Sequence, residues 1–399
     1  MDFEPWWLIS VPLLFGLGWI AARVDFRQML SETRSMPKSY FKGLNFLLNE
    51  QPDRAIDAFI EVAKLDPETT ELHFALGSLF RRRGEMERAI RVHQSLLARA
   101  DLPAADREMA EHELAQDYLK AGMLDRAEAA FTAVQDTRYA VQATRALIRI
   151  HESSHEWPQA IAAVKRLRKL VDEPVPQLVH YHCEQAEAAL AQQPPALPAA
   201  RAALDNAEKA ADRLPDSHRG QASEARIAML RAQIAQIEGD ESLRCHHLTS
   251  ILDQAPSYGS LVAPDIMACH HQLGLADQGL ERLLTHYQQH PDLDTFNVLF
   301  QEKRAREGYE PAWQFVRQAL QQHPTLLGLD RVLESELALE HDGQFADFDL
   351  LRRIIHRHTR RLDRYACQQC GFEARHYYWQ CPGCNGWETY APRRIEELA

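Results

Sequence analysis

The sequence predicts an all-α protein: a superhelix of stacked helix pairs, preceded by a transmembrane helix and closed by a small metal-binding domain. Three observations carry that reading. An uncharged run, PWWLISVPLLFGLGWIAA, covers Pro5 to Ala22; small and apolar residues recur with an offset of 34; and two Cys-x-x-Cys pairs fall within the last 33 of the 399 residues. With 45% hydrophobic and 26% charged residues the chain is too apolar to be disordered. Its net charge of −12 offers no basic domain of the kind that grips nucleic acid.

The uncharged run has 18 residues, the short end of what crosses a bilayer as a helix. Trp6, Trp7 and Trp19 lie near its ends, where amphipathic rings favour the interface. A cleaved signal peptide needs a basic leader and small residues before the cut. Here the leader carries Asp2 and Glu4, and Ile20 stands third before the best cut, after Ala22. The run therefore reads as an uncleaved anchor over 1–23, with a juxtamembrane linker over 24–35. Arg23, Arg27, Arg34 and Lys38 follow it and no Lys or Arg precedes it, which places the bulk of the chain in the cytoplasm. The cysteines agree. Four are clustered and three (Cys183, Cys245, Cys269) are scattered, a pattern expected of a reducing compartment with one metal site and no disulfide framework.

From Met36 the repeat is explicit. Gly43 falls on Gly77, Phe46 on Phe80, Ala55 on Ala89 and Val62 on Leu96. A small residue, an aromatic three on, an Ala nine later and an apolar residue seven later make the tetratricopeptide pattern, in which the small positions let paired helices approach closely. Ala115, Tyr118, Ala127, Phe131 and Val134 form a third unit, and Leu147, Ala160, Val164 and Leu167 a fourth. Weaker units follow around Ala188, Ala200, Leu204 and Ala207; around a turn at Gly239 with Leu248, Ile251 and Pro256; around Gly279, Leu283 and Pro291; and around Ala312, Val316, Ala319 and Pro324. About eight repeats are expected over 36–325. Such an array presents a long surface for another protein. In the second to fourth repeats the register turns Arg81, Arg82, Lys120, Arg145 and Arg149 toward the concave side, either as a line for an acidic peptide or as an ordinary solvated face.

A helical connector is expected over 326–365. Its stretch Phe348 to Tyr365 carries an apolar stripe, Leu350, Leu351, Ile354, Ile355 and Leu362, among Arg352, Arg353, Arg357, Arg360, Arg361 and Arg364. The expectation is that the stripe packs on the last repeat with the arginines in water; a basic face toward anionic lipid or an acidic partner is the other reading. A metal domain follows over 366–392 and a tail over 393–399. Cys367, Cys370, Cys381 and Cys384 match tetrahedral four-thiolate coordination. Zinc is expected; a single iron suits the same ligands. A segment this short cannot fold on an apolar core of its own, so the metal supplies the folding energy. Tyr378, Trp379 and Trp387 are expected to form its aromatic cluster.

Anchor, repeats and a terminal cysteine pair of knuckles, in that order, resemble the lipopolysaccharide assembly protein B family of Gram-negative bacteria. The residues that carry the resemblance are Asp25-Phe26-Arg27, the Tyr40 to Asn45 start of the first repeat, and the tail from Cys367 to Phe372 and from Tyr378 to Trp387. The resemblance implies a tetratricopeptide-repeat superhelix ending in a rubredoxin-like zinc domain, in the inner membrane by a single span, with the N-terminus periplasmic and the bulk cytoplasmic. It further implies an adaptor that promotes degradation of the LpxC deacetylase by the FtsH protease, restrained by a membrane-anchored sensor of lipopolysaccharide level. A scaffold that gathers lipopolysaccharide synthesis and export proteins without proteolysis is the alternative. No catalytic residues are expected: the chain has neither a Walker phosphate loop nor a Gly-x-Ser-x-Gly elbow.

Overall fold

The computed structural model describes residues 51–65, 69–215, 220–339 and 346–398, with isolated positions before residue 51. The anchor and linker expected over 1–35 therefore lie almost wholly outside the described residues. Among those described, no helix is long and apolar enough to cross a membrane. The chain divides into two compact units, residues 1–147 and 148–399.

The first unit holds α1 (Pro52–Leu65), α2 (Thr70–Arg82), α3 (Met86–Leu97), α4 (Ala104–Lys120), α5 (Leu124–Ala133) and the beginning of α6 (Ala140–Ser153). Each helix is amphipathic: α3 buries Ala89, Ile90, His93 and Leu96, a stripe at helical spacing. The repeat positions read from the sequence are core positions. Ala55, Ala89, Ala115 and Ala127 are wholly buried, as are Phe131 and Val134. Glycine acts here through its missing side chain. A Cβ on Gly43 would come within 2.6 Å of the Phe59 ring, and one on Gly77 would overlap the His93 ring. Phe59 and His93 are themselves 34 residues apart, so the space made by each glycine is filled by the same position of the paired helix.

In the second repeat that position is polar, and a buried network follows from it. His93 and Asp117 are fully buried, with His93 Nδ1 2.5 Å from Asp117 Oδ2. Arg81 donates to Asp117 Oδ1 at 2.7 Å and to Glu113 at 2.5 Å. One carboxylate thus ties α2, α3 and α4 together.

The second unit continues with α7 (Trp157–Leu170), α8 (Gln177–Leu190), α9 (Leu197–Asp212), α10 (Gln221–Glu238), α11 (Glu241–Gln254), α12 (Gly259–Gln272), α13 (Ala276–Gln289), α14 (Leu293–Glu307), α15 (Tyr309–Gln322), α16 (Leu326–Leu339) and α17 (Ala346–Leu362). Gly239 ends α10 at φ +81°, the left-handed turn expected there. Ala200, Leu204, Ala207, Leu283, Ala312 and Val316 are fully buried, so the drifting repeats are built on the same plan. Ala188 is a correction: it is exposed, because α8 turns Val179, Cys183, Ala186 and Leu190 inward and Ala188 falls on the opposite side.

Two further expectations are corrected. Cys245 and Cys269 are not scattered: α11 and α12 pack side by side, and the two cysteines form a disulfide with Cα atoms 5.7 Å apart, while Cys183 stays free and buried. Helix α17 departs in part from its expected packing: Ile355 and Leu362 of the apolar stripe are half-buried, but the rest of the stripe faces outward. Leu350, Leu351 and Ile354 are exposed by 57, 49 and 47%. What faces α16 is polar: Arg352 and His356 reach Asp330, which is 4% exposed, at 3.6 and 3.4 Å, and Thr359 is buried beside them. A buried carboxylate needs its partners, and this outweighs burial of the leucines.

Asp117→Ala would leave His93 and Arg81 without their shared carboxylate. A loss of about 3–5 kcal/mol in the first unit is expected, measured by chemical denaturation.

Candidate metal centre

Two strands of two residues open the C-terminal domain: β1 (Tyr365–Ala366) pairs antiparallel with β2 (Glu373–Ala374). Between them runs the first knuckle. The Gly371 amide donates to Cys367 O at 2.9 Å, and Gly371 has φ +75°, the backbone freedom its position after the second cysteine requires. In the second knuckle Asn385 plays that part at φ +57°, its amide donating to Cys381 O at 2.8 Å. Asn is the side chain that best tolerates this region.

The knuckles bring all four predicted sulfurs together. The Sγ atoms lie within 4.8 Å of one another, with Cys367 to Cys384 at 3.8 Å and Cys370 to Cys381 at 3.7 Å. A tetrahedral ion with Zn–S of about 2.3 Å sets its sulfurs about 3.8 Å apart, so the residues fit the metal. Cys381 and Cys367 are buried and Cys370 is exposed, which puts one face of the cluster toward water. Burial acts to raise the Cys367 thiol, but donors from Thr389 and the backbone of Cys370 and Gln369 bring it down to about 6. With four protein ligands the coordination sphere would be closed, and an ion held there would supply cross-linking rather than an open catalytic position.

The tryptophans are not in the domain's own core. That core is Tyr365, Cys367, Cys381 and Tyr390, with Tyr377 against it. Tyr378 is 40% exposed. Trp379 and Trp387 point instead into the helical repeats of the same unit. Trp387 stacks on His180 of α8 at 5.0 Å and 11°, meets Trp157 and Tyr181 edge-on, and donates its indole N–H to Glu152 at 2.8 Å. Trp379 stacks on Tyr258 at 5.7 Å.

Between the two indoles lies Arg226 of α10, 1% exposed, its guanidinium 5.5 Å from the Trp379 ring and 5.7 Å from the Trp387 ring. It donates to Glu184 at 2.6 Å and Glu187 at 2.9 Å, both on α8. His180 Nε2 reaches Glu388 Oε1 at 2.7 Å, while its Nδ1 faces Arg226, so the partners favour the tautomer with the proton on Nε2. Burial lowers the His180 pKa, and the hydrogen bond from His180 lowers that of Glu388.

The chain beyond the knuckles straps the domain down. Ser260 donates to Pro392 O at 2.7 Å. Arg394 makes two bonds of 2.9 Å to Asp294 and lies over the Tyr365 ring at 4.2 Å. Glu397 accepts from the Leu293 amide at 3.0 Å, and Glu396 accepts from the amides of Leu326 and Leu327. Next to this strap Asp292 caps α14, accepting from Thr295 N at 2.7 Å, and burial raises its carboxyl to about 7.

Of the arginines and lysine expected on the concave side, Arg81 is tied up within the fold. Arg82, Lys120, Arg145 and Arg149 are exposed, the last two one turn apart on α6. Arg81 does not offer its guanidinium outward; Asp117 and Glu113 hold it. Nothing in the sequence pattern singled out His180, Arg226 or Glu388. The available signal was indirect: a domain of this size cannot bury two indoles by itself. The cluster of Cys245, Cys269 and His270 has its ligand atoms close together, but both sulfurs are committed to the disulfide.

Cys381→Ser is expected to abolish stoichiometric metal binding, read by elemental analysis of the purified chain. Trp387→Ala should keep one ion per chain yet cost about 3 kcal/mol, seen as a lower melting temperature and faster proteolysis of the C-terminal domain. Asp292 gives a pH signature. Its folded pKa lies above the unfolded value, so the folded state holds its proton longer and stability falls as pH rises from about 4 to about 7. Asp292→Asn keeps a capping acceptor without the charge. The variant should gain on the native chain across that window by up to about 1.4 kcal/mol per pH unit, measured by denaturation at several pH values.

Residues 365–392 match the rubredoxin metal binding domain, and residues 42–103 and 112–173 match the tetratricopeptide repeat. The chain is 31% identical to lipopolysaccharide assembly protein B of Escherichia coli (strain K12) over 390 residues, 97% of each chain. It is 25% identical to the protein of that name from Haemophilus influenzae over 405 residues, 98% of each. Among solved structures, the Naa15/Naa10 complex bound to HypK-THB is similar at a TM-score of 0.44 and 14% identity, covering 80% of this chain and 46% of that one. Since the relatives align along nearly their whole length, repeats and cysteine knuckles together, this chain belongs to the lipopolysaccharide assembly protein B family.

Proposed function

We propose that this chain acts in lipopolysaccharide assembly as a membrane-anchored, cytoplasm-facing adaptor that promotes FtsH-dependent degradation of the LpxC deacetylase. The observation that carries the adaptor reading is the seat of the metal domain. A closed four-thiolate site supports structure rather than turnover, and its tryptophans and Glu388 are committed to α8 and α10. The metal domain and the repeats of its unit are thereby one body, suited to presenting a fixed surface to a protein substrate. The uncharged run over 5–22 and the arginines after it support a single span with the N-terminus in the periplasm; contact with a membrane-anchored sensor rests on the family resemblance alone. Four thiolates on zinc suit a reducing compartment.

The test is the half-life of the deacetylase in cells depleted of this chain, with rescue by the full chain, by residues 24–399, or by the full chain carrying Cys367→Ser and Cys370→Ser. The half-life should lengthen several-fold on depletion and return only with the intact full chain. An unchanged half-life throughout would instead support a non-proteolytic scaffold for lipopolysaccharide synthesis and export proteins.

A further inference from the structure

Helix α17 carries its charge and its apolar surface in an arrangement that the fold does not use. Residues 352, 356 and 359 form the face turned to α16, and that face is polar. Residues 350, 354 and 357 follow the same i, i+4, i+7 spacing on another side of the helix. Two of them are large aliphatics about half exposed, with Leu351 beside them equally open, and the third is exposed Arg357. Folding normally buries such a stripe, so its exposure on a helix that also carries arginine marks a contact made with something else. The charge says with what. Beyond Arg352, which Asp330 holds, helix α17 contains four arginines (353, 357, 360, 361) against two aspartates, Asp347 and Asp349, in a chain of net charge −12. Aliphatic side chains continued by arginine along one face are the pattern of a helix lying in a membrane interface, the leucines at the acyl boundary and the guanidinium groups at phosphates.

We infer that the outward stripe of α17, Leu350, Leu351, Ile354 and Arg357, is a docking surface for an anionic phospholipid membrane. This deepens the membrane-anchored reading and rests on it for its setting. It adds a second point of attachment to the membrane, in the unit that holds the metal domain.

The experiment is amide hydrogen exchange, read by mass spectrometry, on the full chain reconstituted in vesicles of phosphatidylcholine alone and of phosphatidylcholine with phosphatidylglycerol. Exchange over 346–362 should slow by roughly tenfold with phosphatidylglycerol and not without it. Leu350→Ser with Ile354→Ser should remove the slowing, and Arg357→Glu should weaken it, while one metal ion per chain shows that the fold is intact. Equal exchange in both vesicles would overturn the inference. So would protection that is present without lipid and lost on dilution, which would assign the stripe to a second copy, and so would protection that appears only on adding an acidic protein. Neither protease nor deacetylase enters the measurement, so its failure leaves the adaptor reading to its own test.

Discussion

Arg226 is the charge around which the C-terminal half is organised. It is buried, it cannot shed its proton, and it lies where α8, α10 and the metal domain meet. Taking a guanidinium out of water costs several kcal/mol unless carboxylates and π faces replace the solvent. Glu184 and Glu187 supply the charge from α8, and Trp379 and Trp387 supply the faces from the metal domain. The repeats therefore need the metal domain as much as the domain needs them. Without the indoles, Arg226 would be covered on one side only.

The dependence runs back to the ion. Residues 365–392 have two strands of two residues and a core of three tyrosines and two cysteines, too little to hold a shape unaided. Cys367, Cys370, Cys381 and Cys384 would hold one ion, which would fix both knuckles and with them the chain on which Trp379, Trp387 and Glu388 are carried. Metal binding would thus be coupled over several residues to the packing of α8 and α10, through contacts that are each visible: an indole on His180, a carboxylate on His180, an indole over Arg226.

Most of the architecture was legible in the sequence because it rests on short-range rules. The 34-residue offset located Gly77 and Ala89, and the same pattern continued with drift located Ala115 and Ala127, since close helix approach permits only small residues there. The four cysteines were legible because two sulfurs separated by two residues can share one ion. Failures came where tertiary partners decide. The outward turn of α17 depends on Asp330, a residue on another helix that no periodicity reveals. Arg81 looks like a surface charge in the sequence because its partners lie 32 and 36 residues away. Trp387 reads from the sequence as part of the metal domain's own core because its ring partners, His180 and Trp157, are more than 200 residues distant in the chain. Cys245 and Cys269 meet only because a helix hairpin folds them together.

The most direct test of this coupling is hydrogen exchange over α8 and α10 before and after the ion is stripped from the intact chain with a chelator. The account predicts that exchange in α8 and α10 rises together with that of residues 365–398, and that restoring zinc reverses both. Faster exchange confined to residues 365–398, with α8 and α10 unchanged, would contradict it.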